Sequence, residues 1–207
     1  MSRRAEYAEM TRQSIVDAAR RRFISQGYVG TTIDQIAADA RVTPKTVYAV
    51  TGGKRGLLRT VIEPWSAATE VDSSLEQMRS IRAGTDVLVL LAATVRQLAD
   101  QTRDLIRLIH DAAPRDESAA ATLASTNDRI RQNLATVADH LLATGNLKDG
   151  VSVGRATDVL QFYFGPEGYL YLVDQLEWLP EHAEQWLVEQ ASFALLPTAD
   201  VHALAEC

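Results

Sequence analysis

Cysteine is almost missing from this chain of 207 residues: there is one, Cys207. That excludes an internal disulfide framework and fits a reducing compartment. Histidine is scarce as well, and His110, His140, His182 and His202 do not share metal-ligand spacing. No Ser-His-Asp or Cys-His pair can be argued, so no enzyme activity is expected, and no cofactor or metal. The two glycines of "YFGPEGYLY" follow no strand and form no phosphate cradle. No apolar run reaches the roughly 18 residues of a membrane span. The opening "MSRRAEYAEMTRQS" is too polar for a signal peptide, so a cytoplasmic protein without a membrane partner is expected. Repeats and low-complexity tracts are lacking, and so is strand-like alternation. The expected class is all-α.

What is present is an uneven charge. Residues 1–60 carry 11 Lys and Arg against 5 Asp and Glu, while residues 61–207 carry 10 against 22. A net charge of −6 thus hides a basic N-terminal unit on an acidic body. A small basic unit is the electrostatic footprint of a polyanion partner, although a solvated basic face would read the same way on charge alone.

The basic unit has a clear helical grammar. Residues 9–26 place Ile15, Ala18, Ala19 and Phe23 on one stripe, and Gly27 is a stop. Thr32 and Gln35 form a capping box before Ile33, Ile36, Ala37 and Ala40, a second helix of about two turns. After Arg41-Val42, Thr43 is an N-cap and Pro44 stands at the first helical position of a third helix, which Gly52-Gly53 ends. Helix, short turn, helix, with a bracing helix in front, is the helix-turn-helix pattern. Its second helix fits a DNA major groove and offers its N-terminal residues to base edges. Lys45 is long enough to read a guanine. Thr46 and Tyr48 can fix register, Ala49 faces outward, and Lys54 can meet a phosphate.

The stretch "IVDAARRRFISQGYVGTTIDQIAADARVTPKTVYAVTGGKRGLLRTVI" resembles the DNA-binding domain of the TetR family of one-component transcriptional regulators. Phe23, Gly27, Tyr28, Thr31, Thr32, Ile36, Ala37, Val42, Thr43, Val47, Tyr48, Lys54, Leu57 and Leu58 follow the family pattern in order. The resemblance implies a helix-turn-helix domain over 1–53 and a larger helical domain over 54–207 for ligand binding and dimerisation, joined by a linking helix 54–69. It implies a regulator, of repressor type, that binds a palindromic double-stranded operator as a homodimer and is released by a small effector. The DNA-binding candidates are Thr31, Thr32, Arg41, Thr43, Pro44, Lys45, Thr46, Tyr48, Ala49 and Lys54. Two places depart from the family. Arg41 stands where the family has glycine, a position that favours positive φ. Ala49-Val50-Thr51 replaces an aromatic-containing run. That second departure is the main support for another reading, a helical adaptor that keeps the three-helix unit and has lost DNA.

The body reads as helix throughout: 85–100, a segment through Leu105, Ile106, Leu108 and Ile109 stopped at Pro114, 117–144, 152–165 after Ser152, 167–177 and 181–196. The stretch 72–83 has no clear type. In the resembled family this half encloses a small-molecule pocket. Trp65, Met78, Leu91, Val95, Ile109, His110, Phe162 and Tyr163 are its candidate lining, suited to an apolar or aromatic effector with one or two hydrogen bonds. The aromatic load of the last helices marks Leu160, Phe164, Tyr169, Trp186 and Phe193 as candidates for the dimer interface.

Overall fold

Residues 3–66 and 69–197 are described by a computed structural model of the chain. The first helix, α1 (Arg3–Gly30), begins six residues before the expected start because "RRAEYA" contains nothing that breaks a helix. Gly27 takes φ 75, ψ 159, so the expected stop is a kink that turns the chain toward α2 (Ile33–Asp39) and α3 (Pro44–Thr51). Gly52, with φ 72, ends α3 in the left-handed cap that glycine allows at little cost. The remaining elements are α4 (Lys54–Ser66), α5 (Thr69–Met78), α6 (Gly84–Ala112), α7 (Glu117–Ala143), α8 (Val153–Phe164), α9 (Pro166–Leu170) and α10 (Pro180–Leu195). Every regular element among the described residues is helical, so the class is all-α. None of the described helices is long and apolar enough to cross a membrane.

Two expected helices, 85–100 and the one after it, are a single helix, α6. The polar Gln101-Thr102 between them interrupts the apolar stripe but not the backbone, since Thr102 Oγ1 donates back to the Leu98 carbonyl at 2.6 Å. The stretch without a clear type is largely α5. The expected helix 167–177 is instead the single turn α9 followed by a wide π turn, Tyr171–Gln175, closed by Leu176 N to Tyr171 O at 3.2 Å. Glu177 then takes φ 56.

The chain divides into two compact units: residues 1–67 with 104–126, and residues 68–103 with 127–207. The core of the first contains Ile15, Ala18, Ala19 and Phe23 of α1, Ile36 and Ala37 of α2, Val47 of α3, and Leu57, Leu58, Val61 and Ile62 of α4. Phe23 meets Tyr28 edge-on at 5.4 Å. Truncating such a buried phenylalanine costs about 3–5 kcal/mol. Asp116, only 8 % exposed, is the polar knot of this unit. Its carboxylate accepts from the Ala119 amide at the start of α7 (3.0 Å) and from the Tyr28 hydroxyl (2.9 Å), and pairs with Arg55 (3.3 Å). Burial alone would raise its pKa; those three partners and the Ser118 amide together hold it below the usual carboxylate value. Burial, and then the bond to Asp116, push the Tyr28 phenol up to about 12.

In the second unit α8 packs on α10 through Leu160, Phe164, Leu187, Ala191 and Leu195. Ser152 caps α8, as its sequence position suggests, by accepting from Arg155 N at 3.2 Å. Asn146 ties the start of α6 by accepting from Gly84 N at 3.0 Å and donating to the Arg82 carbonyl at 2.8 Å.

Candidate functional site

Local chemistry builds the helix pair as the sequence suggests. Thr32 N donates to Gln35 Oε1 at 2.8 Å and Gln35 N donates to Thr32 Oγ1 at 3.3 Å, a complete capping box. Thr46 N donates to Thr43 Oγ1 at 3.2 Å, and Pro44 fills the first helical position. The short α3 therefore begins with its first turn held and its outward residues free. Pro44, Lys45, Tyr48 and Ala49 are exposed, Tyr48 at 58 %. Thr46 is half-buried, with its hydroxyl 2.9 Å from that of Thr43. A Cβ at Gly53 would come within 3.0 Å of the Tyr48 ring, so the ring is seated close to that glycine. Val47 alone of α3 is fully buried.

Arg41 is exposed in the turn and has φ 56, the left-handed backbone that a glycine would adopt without strain. It is one of two non-glycine residues with positive φ among those described. Its Cβ carries that strain, and its side chain is exposed in the turn that leads into α3.

Two of the DNA-binding candidates sit differently from expectation. Thr31 is 1 % exposed and gives its hydroxyl to the Gly27 carbonyl at 2.9 Å, closing the kink after α1. Its side chain faces the core, and Thr32 beside it is the exposed member of the pair. Lys54 donates to the Val29 carbonyl at 3.2 Å and lies 4.5 Å above the Tyr28 ring. Desolvation lowers its pKa while Asp116 opposes that shift. Its ammonium is thus part of the packing around Tyr28.

The second unit holds a cavity of about 40 Å³. Its wall comes from Val71, Ser74, Leu75 and Met78 of α5, Val87, Leu90, Leu91 and Thr94 of α6, and Asn133, Leu134 and Val137 of α7. Met78 and Leu91 are the two expected pocket residues that line it. Val95 is half-buried on α6 outside the lining. Ile109 is fully buried in the first unit's core, and His110 belongs to that unit as well. Phe162 is 74 % exposed on α8, and Tyr163 is stacked edge-on between Phe162 (5.1 Å) and Trp186 (6.2 Å). The Trp65 side chain lies outside the described residues. The sequence did carry a signal for the missed lining: Val87, Leu90, Leu91 and Thr94 share one face of α6 by helical spacing.

The expected interface residues also divide. Leu160, Phe164 and Tyr169 are buried within the chain's own fold, so they cannot face a second copy. Trp186 is half-buried and meets Trp178 edge-on at 5.6 Å. Phe193 is 69 % exposed. The open stripe of α8 is Arg155, Asp158 and Phe162; that of α10 is His182, Gln185, Glu189 and Phe193.

The family model described as bacterial regulatory proteins, tetR family, matches residues 15–61. The HTH-type transcriptional regulator SrpR of Pseudomonas putida is 30% identical over 143 residues, 69% of this chain and 66% of SrpR. The match therefore spans just under two thirds of that relative's length. Among solved structures, NalD of Pseudomonas aeruginosa, the secondary repressor of the MexAB-OprM multidrug efflux pump, superposes with a TM-score of 0.72 at 21% identity, covering 93% of this chain and 99% of NalD. A complex of SmeT with triclosan superposes at 0.70 and 17% identity, over 92% and 93%; SmeT is the repressor of the Stenotrophomonas maltophilia efflux pump SmeDEF. At those identities the structural likeness speaks for the fold.

Proposed function

Because the chain belongs to the TetR family of bacterial regulatory proteins, we propose that it is a DNA-binding transcriptional regulator, of repressor type, whose grip on its operator is governed by a small apolar effector. The observation that carries this reading is α3: a capped eight-residue helix with Lys45, Tyr48 and Ala49 open to solvent on a basic unit. Lys45 reads a base edge, and Thr32, Arg41, Thr43, Thr46 and Tyr48 hold phosphates or register. The starts of α2 and α3 carry the positive ends of two helix dipoles, where phosphates sit.

Two copies are needed to read a palindrome, with their recognition helices about 34–36 Å apart. The open stripe of α8 and α10, centred on Phe162 and Phe193, is the face we assign to the second copy. Two exposed phenylalanines on adjacent packed helices are what an isologous helix-on-helix contact buries. The cavity between α5, α6 and α7 is the effector site. Its lining is mainly aliphatic, as the likeness to a repressor solved with triclosan also favours. An effector acts only through its preference for one of two dimer arrangements, the one whose recognition helices no longer match successive grooves.

Selection of bound duplex from a random pool tests the reading, followed by titration of the winner across salt concentrations. A regulator enriches a palindrome and shows log Kd rising steeply with log salt. No enrichment and no salt dependence would leave the three-helix unit as a packing module.

A further inference from the structure

Two glycines follow α3, and they differ in why the position needs glycine. Gly52 has φ 72 and Gly53 has φ 93, so both occupy the left-handed region that a side chain enters only at a cost. Around Gly52 that is the whole demand, since a Cβ there would meet nothing within 4 Å. Gly53 carries a second demand. A Cβ there would lie 3.0 Å from Cε1 and 3.1 Å from Cδ1 of Tyr48, closer than the roughly 3.5–4.0 Å at which carbon atoms rest against each other. The edge of the Tyr48 ring therefore lies on the bare backbone of Gly53. Gly52 N donates to the Tyr48 carbonyl at 2.9 Å, which closes the turn and brings residue 53 back to the ring. The ring is 58 % exposed, and among the described residues it meets no other aromatic side chain. Among the same residues its hydroxyl takes part in no hydrogen bond.

We propose that Gly53 is a positioning residue for DNA binding: its missing side chain is the seat that holds the Tyr48 ring, and with it the hydroxyl that meets a phosphate, in one orientation before the duplex arrives. This role rests on the regulator reading and on Tyr48 as one of its contacts. An exposed tyrosine without a seat samples several rotamers, and binding then has to order it. A seated ring meets the phosphate with that ordering already done. A methyl group at residue 53 forces the ring off the backbone by a few tenths of an ångström and returns its freedom. The same methyl at residue 52 enters open space and leaves the ring where it is.

The test is a double-mutant cycle on the full chain, read by fluorescence anisotropy with the duplex selected from the random pool; urea unfolding is followed for every variant. Tyr48→Phe keeps the ring, removes the hydroxyl, and should weaken binding about tenfold. Gly53→Ala should weaken it about threefold to tenfold. In the Tyr48→Phe background the same change should alter affinity by less than about twofold, because a ring without a hydroxyl has no phosphate bond to misplace. Gly52→Ala should lose stability much as Gly53→Ala does, yet hold affinity within about twofold of wild type. Without DNA, a nuclear Overhauser effect between the Tyr48 ring protons and the Gly53 Hα protons should mark the seat. Its absence overturns the inference. So does wild-type affinity in Gly53→Ala or in Tyr48→Phe. A Gly53→Ala loss that is as large in Tyr48→Phe as in wild type, or that Gly52→Ala matches, makes the effect one of backbone strain and overturns the inference too. All of these outcomes leave the regulator reading intact, since a duplex is still bound. A random pool that yields no duplex sinks both at once.

Discussion

Replacing Arg41 by glycine should make the protein more stable and its grip on DNA weaker. At φ 56, the Arg41 Cβ crowds the backbone, a strain worth about 1–2 kcal/mol for a residue with a side chain. Glycine removes that strain. It also gives the unfolded chain more freedom, which takes back about 0.4–1 kcal/mol. The net expectation for Arg41→Gly is a gain of about 0.5–1 kcal/mol. Arg41→Ala keeps the Cβ and so should change stability by less than about 0.5 kcal/mol. The side chain is exposed, and the Arg22–Asp39 pair, at 2.6 Å, does not involve the substituted position. Urea unfolding followed by circular dichroism measures the difference. Both variants should reduce the salt slope of duplex binding by about one unit, because both delete the phosphate contact proposed for Arg41. If Arg41→Gly is no more stable than Arg41→Ala, the strain argument fails. Unchanged salt slopes would mean that the strain serves no DNA contact.

Three further outcomes follow from the geometry. Asp116→Ala removes the α7 cap and leaves the Tyr28 hydroxyl buried without its partner, so it should cost about 2–4 kcal/mol in urea unfolding, against about 1 kcal/mol for Tyr28→Phe. Because the folded-state pKa of Tyr28 is raised to about 12, its contribution is complete below the ordinary phenol value and is lost as pH rises from about 10 to 12; Tyr28→Phe should flatten that alkaline fall in stability. Phe162→Asp with Phe193→Asp should yield folded monomers by light scattering, whereas Leu160→Ala should leave any dimer intact and lower stability by about 2–5 kcal/mol; a dimer surviving the double change would remove the assigned face.

Features set by neighbours in the chain could be read in advance. The caps at Thr32, Thr43 and Ser152 rest on bonds to residues three positions on, and all three form. Positive φ at Arg41 is likewise a matter of one turn. What required the folded chain was the choice of face. Phe162 and Phe164 are two residues apart, hence about 200° apart around α8, and both are equally apolar in sequence; one is exposed and one is core. Thr31 and Thr32 present the same problem at the kink after Gly27. The cavity lining was obscured in a third way. It needs α5, whose apolar positions 71, 75 and 78 are separated by serine and acidic residues, and its polar members Ser74 and Thr94 are defined by a bond across two helices.

The central claim is that α3 reads sequence through Lys45, which is exposed and stands in the first turn of the helix. Fluorescence anisotropy of wild type and Lys45→Ala on the selected duplex and on an unrelated duplex of equal length tests it directly. The account predicts a loss of about 1–3 kcal/mol on the selected duplex with little change on the unrelated one. Equal affinities of the two proteins for the selected duplex would contradict it.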